Sequence, residues 1–142
     1  MMKKTDPLKL DNQLCFPLYA ASREIIKLYH EPLSKLGLTY TQYITMMVIW
    51  EEKSINVKDL GKRLFLDSGT LTPLLKALEK DGYITRTRSK EDERVLVVEV
   101  TKEGMKLKEK CAAIPAEVGK CVKLSADDAK ELYRILYILL QK

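Results

Sequence analysis

The chain has 142 residues, of which 46% are hydrophobic and 32% charged, and a formal net charge of +5. This length suits one domain, and the composition excludes a disordered or a membrane-spanning chain. MMKKTD leads into no hydrophobic signal segment and no apolar run approaches a bilayer span, so we expect a cytoplasmic protein, whose basic charge favours an anionic partner.

Two helices are predicted in the first part of the chain. The first begins near Leu14, and Glu31-Pro32 is expected to end or bend it. Its apolar residues step by four and three along one face: Leu14, Leu18, Ala21, Ile25 and Leu28. The second, TQYITMMVIWEE, is expected to follow a cap at Thr41, and its uniformly apolar centre predicts that it lies in the core.

Two shorter helices follow within a few residues of each other. Asn56 is predicted to cap VKDLGKRLF, which turns Val57, Leu60 and Leu64 inward. Asp67 or Ser68 is predicted to cap the next helix, which Asp81-Gly82 ends. Its inward leucines fall at i, i+3, i+4 and i+7: Leu71, Leu74, Leu75 and Leu78. The close spacing of these helices predicts a helix-turn-helix.

The last part of the chain begins with a predicted hairpin. YITRTR and VLVVEV are β-rich and flank the charged turn SKEDER. Thr101 then caps a helix that Pro115 interrupts, and Ser125 starts a final one. The inward residues of this final helix are predicted to be Leu132, Ile135, Leu136, Leu139 and Leu140.

These elements predict a mainly α fold with a small β-hairpin wing, that is, a winged helix-turn-helix with N- and C-terminal dimerisation helices. We expect residues 1–142 to form a single domain, with the winged helix-turn-helix at about 38–100 and the dimerisation helices at about 8–31 and 101–142. The alternative for the terminal helices is that their apolar residues complete the core of the monomer.

A small, polar outward face on the second helix of the helix-turn-helix indicates DNA binding. Short side chains and hydroxyls suit a helix that meets base edges in a major groove, although an ordinary solvated face has the same pattern. These residues are Ser68, Thr70, Thr72, Pro73 and Lys76.

The hairpin strengthens that interpretation with cations that suit phosphates or a minor groove, namely Arg86, Arg88, Lys90 and Arg94. Asp92 is predicted to pair with Arg94 across the tip. Because one winged helix contacts a single half-site, we expect a homodimer on double-stranded, pseudo-palindromic DNA.

The cysteines raise the question of chemistry. Cys15, Cys111 and Cys121 accompany no secretion signal, so we expect reduced thiols. One histidine, His30, and no C-x-x-C predict neither a metal nor a cofactor, and His30 is assigned to the surface or an interface. Pro17 favours a first helical turn, which places Cys15 near a helix N-terminus that would stabilise its thiolate, unless Cys15 is an inert buried residue.

Tyrosines gather in the same part of the chain, at Tyr19, Tyr29, Tyr40 and Tyr43. Their hydroxyls can donate hydrogen bonds to a thiolate or a sulfenate without adding charge. On one straight helix Tyr29 and Cys15 are separated by about 21 Å. Contact between them therefore needs a sharp bend or a second copy of the helix arriving antiparallel.

Four segments together resemble the MarR winged-helix repressors and, within them, the organic hydroperoxide resistance regulators (OhrR): LDNQLCF (10–16), LTYTQY (38–43), LDSGTLTPLLK (66–76) and DERV (92–95). The resemblance implies a dimeric repressor that leaves its operator when an organic hydroperoxide oxidises Cys15. It implies that Tyr29 and Tyr40 hold this thiol from the partner subunit, with Tyr19 and Phe16 in the same pocket. Pro17 and Thr41 depart from the residues usual in the family.

The resemblance also bears on the fate of the oxidised thiol. Regulators of this kind either bond to a low-molecular-weight thiol or oxidise further, or they form an intersubunit disulfide with a cysteine near the C-terminal helices. Cys121 falls where such a resolving cysteine would lie, and Cys111 is a weaker candidate. The alternative is that both are packing or surface residues.

Three other functions share these features. The chain could be a MarR-type repressor that senses a small aromatic ligand in the dimer cleft, or a thiol-based global or virulence regulator. It could also be a thiol peroxidase, but such a site would want an arginine and a threonine around the cysteine, and Arg23 is the only arginine nearby. We therefore expect no enzyme.

Overall fold

The structure is a computed structural model that describes residues 6–141. A short 3₁₀ turn, Leu10–Asn12, precedes the first helix. The helices and strands are α1 (Cys15–Ser34), α2 (Tyr40–Glu52), β1 (Ser54–Asn56), α3 (Val57–Leu64), α4 (Ser68–Lys80), β2 (Ile84–Arg88), β3 (Leu96–Val100), α5 (Lys102–Cys111), α6 (Ile114–Gly119) and α7 (Ala126–Leu140). This order confirms the mainly α winged helix-turn-helix.

Helix α2 is the centre of the core, as its apolar sequence predicted. Its buried residues are Tyr43, Thr45, Met46, Val48, Ile49 and Trp50. The predicted cap at Thr41 is wrong, because Thr39 is the N-cap and forms a capping box with Gln42. Both threonines carry the hydroxyl that a cap needs, and Thr39 has the glutamine three residues later that completes the box.

The helix-turn-helix has the predicted caps. The Asn56 side chain accepts a hydrogen bond from the Asp59 amide, and the Asp67 side chain accepts one from the Thr70 amide. Between the helices Phe65 adopts a left-handed conformation with φ 56°, which ends α3 within one residue. The leucines of both helices face α2 and the sheet, with Leu60, Leu71, Leu75 and Leu78 fully buried.

The sheet has three antiparallel strands in the order β1-β3-β2. The hairpin of β2 and β3 was predicted, but β1 was not. Strand β1 is only three residues long, Ser54–Asn56, and pairs with Val97 to Glu99 of β3. Three residues are too few to show the alternation that identifies a strand from sequence.

Helix α5 is anchored to α2 by a close backbone approach. The Trp50 indole N–H donates a buried hydrogen bond to the Gly104 carbonyl at 2.8 Å. A Cβ on Gly104 would lie 2.3 Å from the Tyr83 carbonyl oxygen, so only glycine fits at this point of α5. This contact joins the core helix, the start of β2 and the C-terminal helices.

Helix α1 runs further than predicted. The helix passes through Pro32 and ends at Ser34, so of the two expected effects of Glu31-Pro32, an end or a bend, the end is wrong. Pro32 removes only one hydrogen bond near the end of the helix, while the Ser34 hydroxyl donates to the Glu31 carbonyl at 3.0 Å. Burial of Leu33 in the core holds this last turn in place.

The terminal helices leave apolar surface uncovered in a single protomer. Helix α7 contains no buried residue, and α1 buries only Leu33. Most of the residues predicted to face inward on α7 are exposed, including Leu132, Ile135, Leu139 and Leu140. The apolar residues of α7 and most of those of α1 therefore do not complete the monomer core, whereas α5 and α6 bury Leu107, Cys111, Ile114 and Val118 in it. Among the described residues no helix is long and apolar enough to cross a membrane.

Gly104→Ala should destabilise the protein by about 1–3 kcal/mol, because the added methyl group overlaps the Tyr83 carbonyl and the Val100 side chain. Gly119→Ala is the matched control, since a Cβ at Gly119 meets nothing within 4 Å. Chemical denaturation at one protein concentration, followed by circular dichroism, measures both variants. Equal stability of the two variants would show that the approach at Gly104 imposes no constraint.

Candidate thiol sensor and nucleic-acid interface

Cys15 is the first residue of α1 and is exposed. The segment before it is fixed by side-chain amides, because Gln13 donates to the carbonyls of Pro7 at 2.7 Å and Lys9 at 2.8 Å. Pro17 occupies the first turn, where its missing N–H removes no helical hydrogen bond. The predicted placement of Cys15 at a helix N-terminus is confirmed.

Three tyrosine rings form a cluster between α1 and α2. Tyr29 lies 4.9 Å from Tyr40 and 5.8 Å from Tyr43, measured between ring centroids. Burial, with a smaller effect of Tyr29, raises the pKa of Tyr40 and raises that of Tyr43 to about 12. These phenols therefore remain protonated near neutral pH and can donate hydrogen bonds.

A pocket of about 290 Å³ opens beside Tyr29 and Tyr40. The sequence analysis missed most of its lining from α1, including Ile26, His30 and Leu33. Four residues of α1 that line the pocket lie at i, i+3, i+4 and i+7, namely Ile26, Tyr29, His30 and Leu33. This helical spacing around Tyr29 could have predicted that they share one face of α1. His30 is exposed, as predicted, and lies at this pocket.

The predicted sensor residues fall into two separate groups within one protomer. Cys15, Phe16 and Tyr19 lie at the start of α1, while Tyr29 and Tyr40 lie together near its other end. Since α1 is one unbroken 20-residue helix, Cys15 and Tyr29 are about 21 Å apart along its axis. The thiol and the phenols of one protomer therefore cannot touch.

Arg23 does not face Cys15 either. Its guanidinium packs over the ring of Tyr19, 5.4 Å from the centroid, and donates to the Tyr19 hydroxyl at 3.4 Å. The one arginine that a peroxidase site would need is therefore engaged with an exposed tyrosine.

The two remaining cysteines have different surroundings. Cys111 is buried, and burial raises the pKa of its thiol, so it is a core residue. Cys121 is exposed after α6 and lies in a pocket with Leu28 and Pro32 of α1. Pro32 is 17 residues from Cys15, about 25 Å along α1, so Cys15 and Cys121 of one protomer cannot form a disulfide.

Helix α4 presents its small polar residues to solvent. All five predicted recognition residues are exposed, namely Ser68, Thr70, Thr72, Pro73 and Lys76. The Thr72 hydroxyl donates to the Ser68 carbonyl at 2.8 Å, which leaves its oxygen lone pairs available as acceptors.

The wing contains three exposed cations and one mostly buried cation. Arg88, Lys90 and Arg94 are exposed, and Arg94 forms the predicted pair with Asp92 at 3.2 Å. Hydrogen bonds from Arg94 lower the pKa of the Asp92 carboxyl. Arg86 differs, because its side chain is only 18% exposed and is bound by Glu79.

A cleft of about 930 Å³ lies between α3, the start of α4 and the wing. Arg94 lines it together with Lys58 and Lys62, which the sequence analysis did not select. These lysines are four residues apart on α3, opposite the inward leucines, so their spacing could have identified them. The cleft, the exposed face of α4 and the wing are together called the basic surface, after their exposed cations Lys58, Lys62, Lys76, Arg88, Lys90 and Arg94; Asp59, Asp67 and Asp92 lie among these cations.

No group of three or more His, Cys, Asp or Glu residues that could hold a metal ion occurs within residues 6–141. The exposed Cys15 thiol at the start of α1 is a group suited to redox chemistry, and the basic surface is suited to a polyanion.

Comparison with known proteins gives a consistent result. A family model described as transcriptional regulator SarA/Rot matches residues 27–111. The chain is 49% identical to the organic hydroperoxide resistance transcriptional regulator of Bacillus subtilis, over 99% of this chain and 96% of that protein. It is 50% identical to the regulator SarZ of Staphylococcus haemolyticus, over 89% of this chain and 86% of that protein.

Solved structures are similar over most of the chain. Reduced AbfR bound to DNA has a TM-score of 0.77 and 36% identity, covering 93% of this chain and 92% of AbfR. AbfR has also been solved from Staphylococcus epidermidis. A MarR mutant from Escherichia coli, complexed with operator DNA, has a TM-score of 0.82 and 25% identity, covering 89% of this chain and 93% of MarR. The chain therefore belongs to the MarR-type winged-helix transcriptional regulators, among the organic hydroperoxide resistance regulators and their SarA/Rot relatives.

Proposed function

We propose that this protein is a homodimeric repressor that binds operator DNA and releases it when an organic hydroperoxide oxidises Cys15. The observation that carries the proposal is the division of the sensor along α1. An exposed thiol lies at one end of the helix, and a phenol-lined pocket that contains no cysteine lies at the other. Each is incomplete alone, and an antiparallel second copy of α1 would bring each thiol to the other copy's phenols.

The uncovered apolar surface supports this dimer. Phe16, Leu18, Ile25 and Ile26 on α1 are exposed, and so is nearly the whole apolar face of α7. A monomer rarely leaves so much contiguous apolar surface in water, whereas a permanent two-fold interface resembles a protein core cut in half.

The reaction that this site would carry out balances with one oxidant. The Cys15 thiolate attacks the terminal oxygen of the hydroperoxide, an S–O bond forms and the O–O bond breaks. The alkoxide takes a proton and leaves as an alcohol, so the sulfur loses two electrons and becomes a sulfenic acid. Tyr29 and Tyr40 of the partner subunit donate hydrogen bonds to the thiolate and the sulfenate. The apolar residues beside them favour an alkyl hydroperoxide.

The relatives support DNA binding and a thiol that is oxidised. One is named as an organic hydroperoxide resistance regulator. Another, AbfR, has been solved on DNA in a reduced and an overoxidized form, and separately in a disulfide form. These relatives are transcriptional regulators, which supports stoichiometric sensing over catalytic turnover. After oxidation the sulfur of the sulfenic acid is attacked by the thiol of a low-molecular-weight compound or of Cys121 of the partner subunit, so that a disulfide forms, the S–O bond breaks and water leaves.

The regulated genes are a second question. The chain is as similar to SarZ as to the hydroperoxide regulator, with 50% and 49% identity. The same sensor on a regulator of a wider set of genes is therefore the alternative. Genome-wide mapping of the bound sites distinguishes one peroxidase operator from a dispersed set.

Ile135→Asp combined with Leu139→Asp should convert the dimer into a monomer, because two charges would be buried one turn apart on the apolar face of α7. Size-exclusion chromatography with light scattering measures the mass. Gln141→Asp, at an exposed position just beyond α7, is the control and should remain dimeric. A dimeric double variant would place the interface elsewhere.

Cys15→Ser should bind operator DNA as tightly as wild type but should not release it when about one equivalent of cumene hydroperoxide is added. Fluorescence anisotropy on DNA from upstream of the protein's own gene measures binding and release. Cys111→Ser is the control for thiol loss, because this buried residue should not affect release. Release by Cys15→Ser would contradict the sensor assignment, and failure of this variant to bind DNA would make Cys15 structural.

Arg94→Ala and Lys76→Ala should each weaken DNA binding. In each variant the plot of log binding constant against log salt concentration should be less steep by about two, since a dimer loses one phosphate contact per subunit. Lys106→Ala is the control, because Lys106 is paired with Glu103 on α5, away from the basic surface. An unchanged slope in both test variants would place the phosphate contacts on other residues.

A further inference from the structure

One carboxylate connects the recognition helix to the wing. Glu79, near the end of α4, accepts three hydrogen bonds from Arg86 of β2. The Arg86 guanidinium donates to Oε1 from Nε at 3.3 Å and from an Nη at 3.0 Å. The Arg86 backbone amide donates to Oε2 at 3.2 Å. Both carboxylate oxygens are thus held by a single residue of the wing.

The backbone bond matters because β2 is an edge strand. In the order β1-β3-β2, one side of β2 has no neighbouring strand, and amides on that side need another acceptor. Glu79 supplies this acceptor for Arg86. The carboxylate therefore fixes the edge of the strand itself to α4, in addition to pairing with a side chain.

Arg86 differs from the other cations of the hairpin in its exposure. The Arg86 side chain is 18% exposed, whereas that of Arg94 is 91% exposed. A mostly buried guanidinium whose Nε and Nη both donate to one carboxylate oxygen is poorly placed to reach a phosphate. This geometry therefore does not favour the predicted contact between Arg86 and DNA.

We infer that Glu79 and Arg86 are a positioning pair, which holds the wing at a fixed distance and angle from the recognition helix so that both engage DNA together. This inference rests on the proposed function, since it concerns how the same surface binds DNA. A wing that is already ordered loses less conformational freedom on binding, so the pair should raise affinity without touching the DNA.

The test is a double-mutant cycle on DNA affinity. Glu79→Ala and Arg86→Gln should each weaken binding to the duplex from upstream of the gene by about five- to tenfold. This loss of affinity corresponds to the free energy needed to order a mobile wing when the DNA binds. The double variant should bind no more weakly than Glu79→Ala, because Glu79→Ala already removes all three hydrogen bonds between the two residues, including the one from the Arg86 backbone amide. The salt slope should remain that of wild type, because no phosphate contact is lost.

A conservative variant separates positioning from direct contact. Arg86→Lys keeps the positive charge but loses the two guanidinium donors, so it should weaken binding although it could still reach a phosphate. Glu103→Ala, which removes a carboxylate from an exposed pair on α5, is the matched control and should leave affinity unchanged. Thermal unfolding of every variant shows that the folded dimer is being compared.

The possible results are distinct. If Arg86→Lys binds like wild type, Arg86→Gln lowers the salt slope and Glu79→Ala tightens binding, Arg86 contacts phosphate and the inference is wrong. If wild type binds and Glu79→Ala binds equally well, the pair has no positioning role, while the proposed function stands. If wild type binds no duplex from this region at low salt, the proposed function fails and the role of the pair fails with it.

Discussion

The unbroken length of α1 from Cys15 to Ser34 determines which groups of the proposed sensor can meet. A helix rises 1.5 Å per residue, so an uninterrupted α1 keeps Cys15 and Tyr29 about 21 Å apart whatever the side chains do. Pro32 lies beyond both residues and does not fold one end back on the other. A thiol and the phenols suited to it can then meet only between two chains. The proposed sensing chemistry thus requires a dimer, which agrees with the exposed apolar residues of α1 and α7.

This arrangement would couple oxidation to the DNA-binding surface through α2. Tyr40 and Tyr43 belong to α2, and the same helix contributes Trp50, whose indole holds α5 through Gly104. Helix α2 also packs against α3 and α4, the two helices of the helix-turn-helix. A larger group at the Tyr29–Tyr40 pocket, such as a sulfenic acid or a mixed disulfide, would press on a helix that packs against the recognition helix. Fixing the wing to that helix by Glu79 would keep the two DNA-contacting elements moving as one unit.

The sequence predicted the fold well where a local rule decides the structure. Asn56, Asp67, Thr101 and Ser125 cap their helices as expected, because each places a side-chain acceptor directly before an apolar period. Strand β1 was missed because three residues have no readable period and its partner lies more than forty residues away. The end of α1 was misplaced because burial of Leu33 outweighs the one hydrogen bond that Pro32 removes.

The sequence predicted the reactive and charged residues of the site better than the contacts between elements that are distant in the chain. Cys15 at a helix start and the Asp92–Arg94 pair follow from nearby residues, and both have the expected geometry. The engagement of Arg86 by Glu79 was not foreseen, because it depends on how the edge of β2 meets α4. In the same way, no spacing shows that Cys121 lies beside Leu28 and Pro32, on the side of α1 away from Tyr29.

Mixed dimers test the central claim, a sensor shared between two chains, most directly. One chain would carry Cys15→Ser and the other Tyr29→Phe with Tyr40→Phe, each with its own affinity tag, and the rate of sulfenic acid formation with cumene hydroperoxide would be measured. If the site is shared, the mixed dimer contains one complete site, and its one remaining Cys15 thiol should react at the wild-type rate, faster than the Cys15 thiols of the phenylalanine homodimer. A mixed dimer as slow as that homodimer would contradict the shared site.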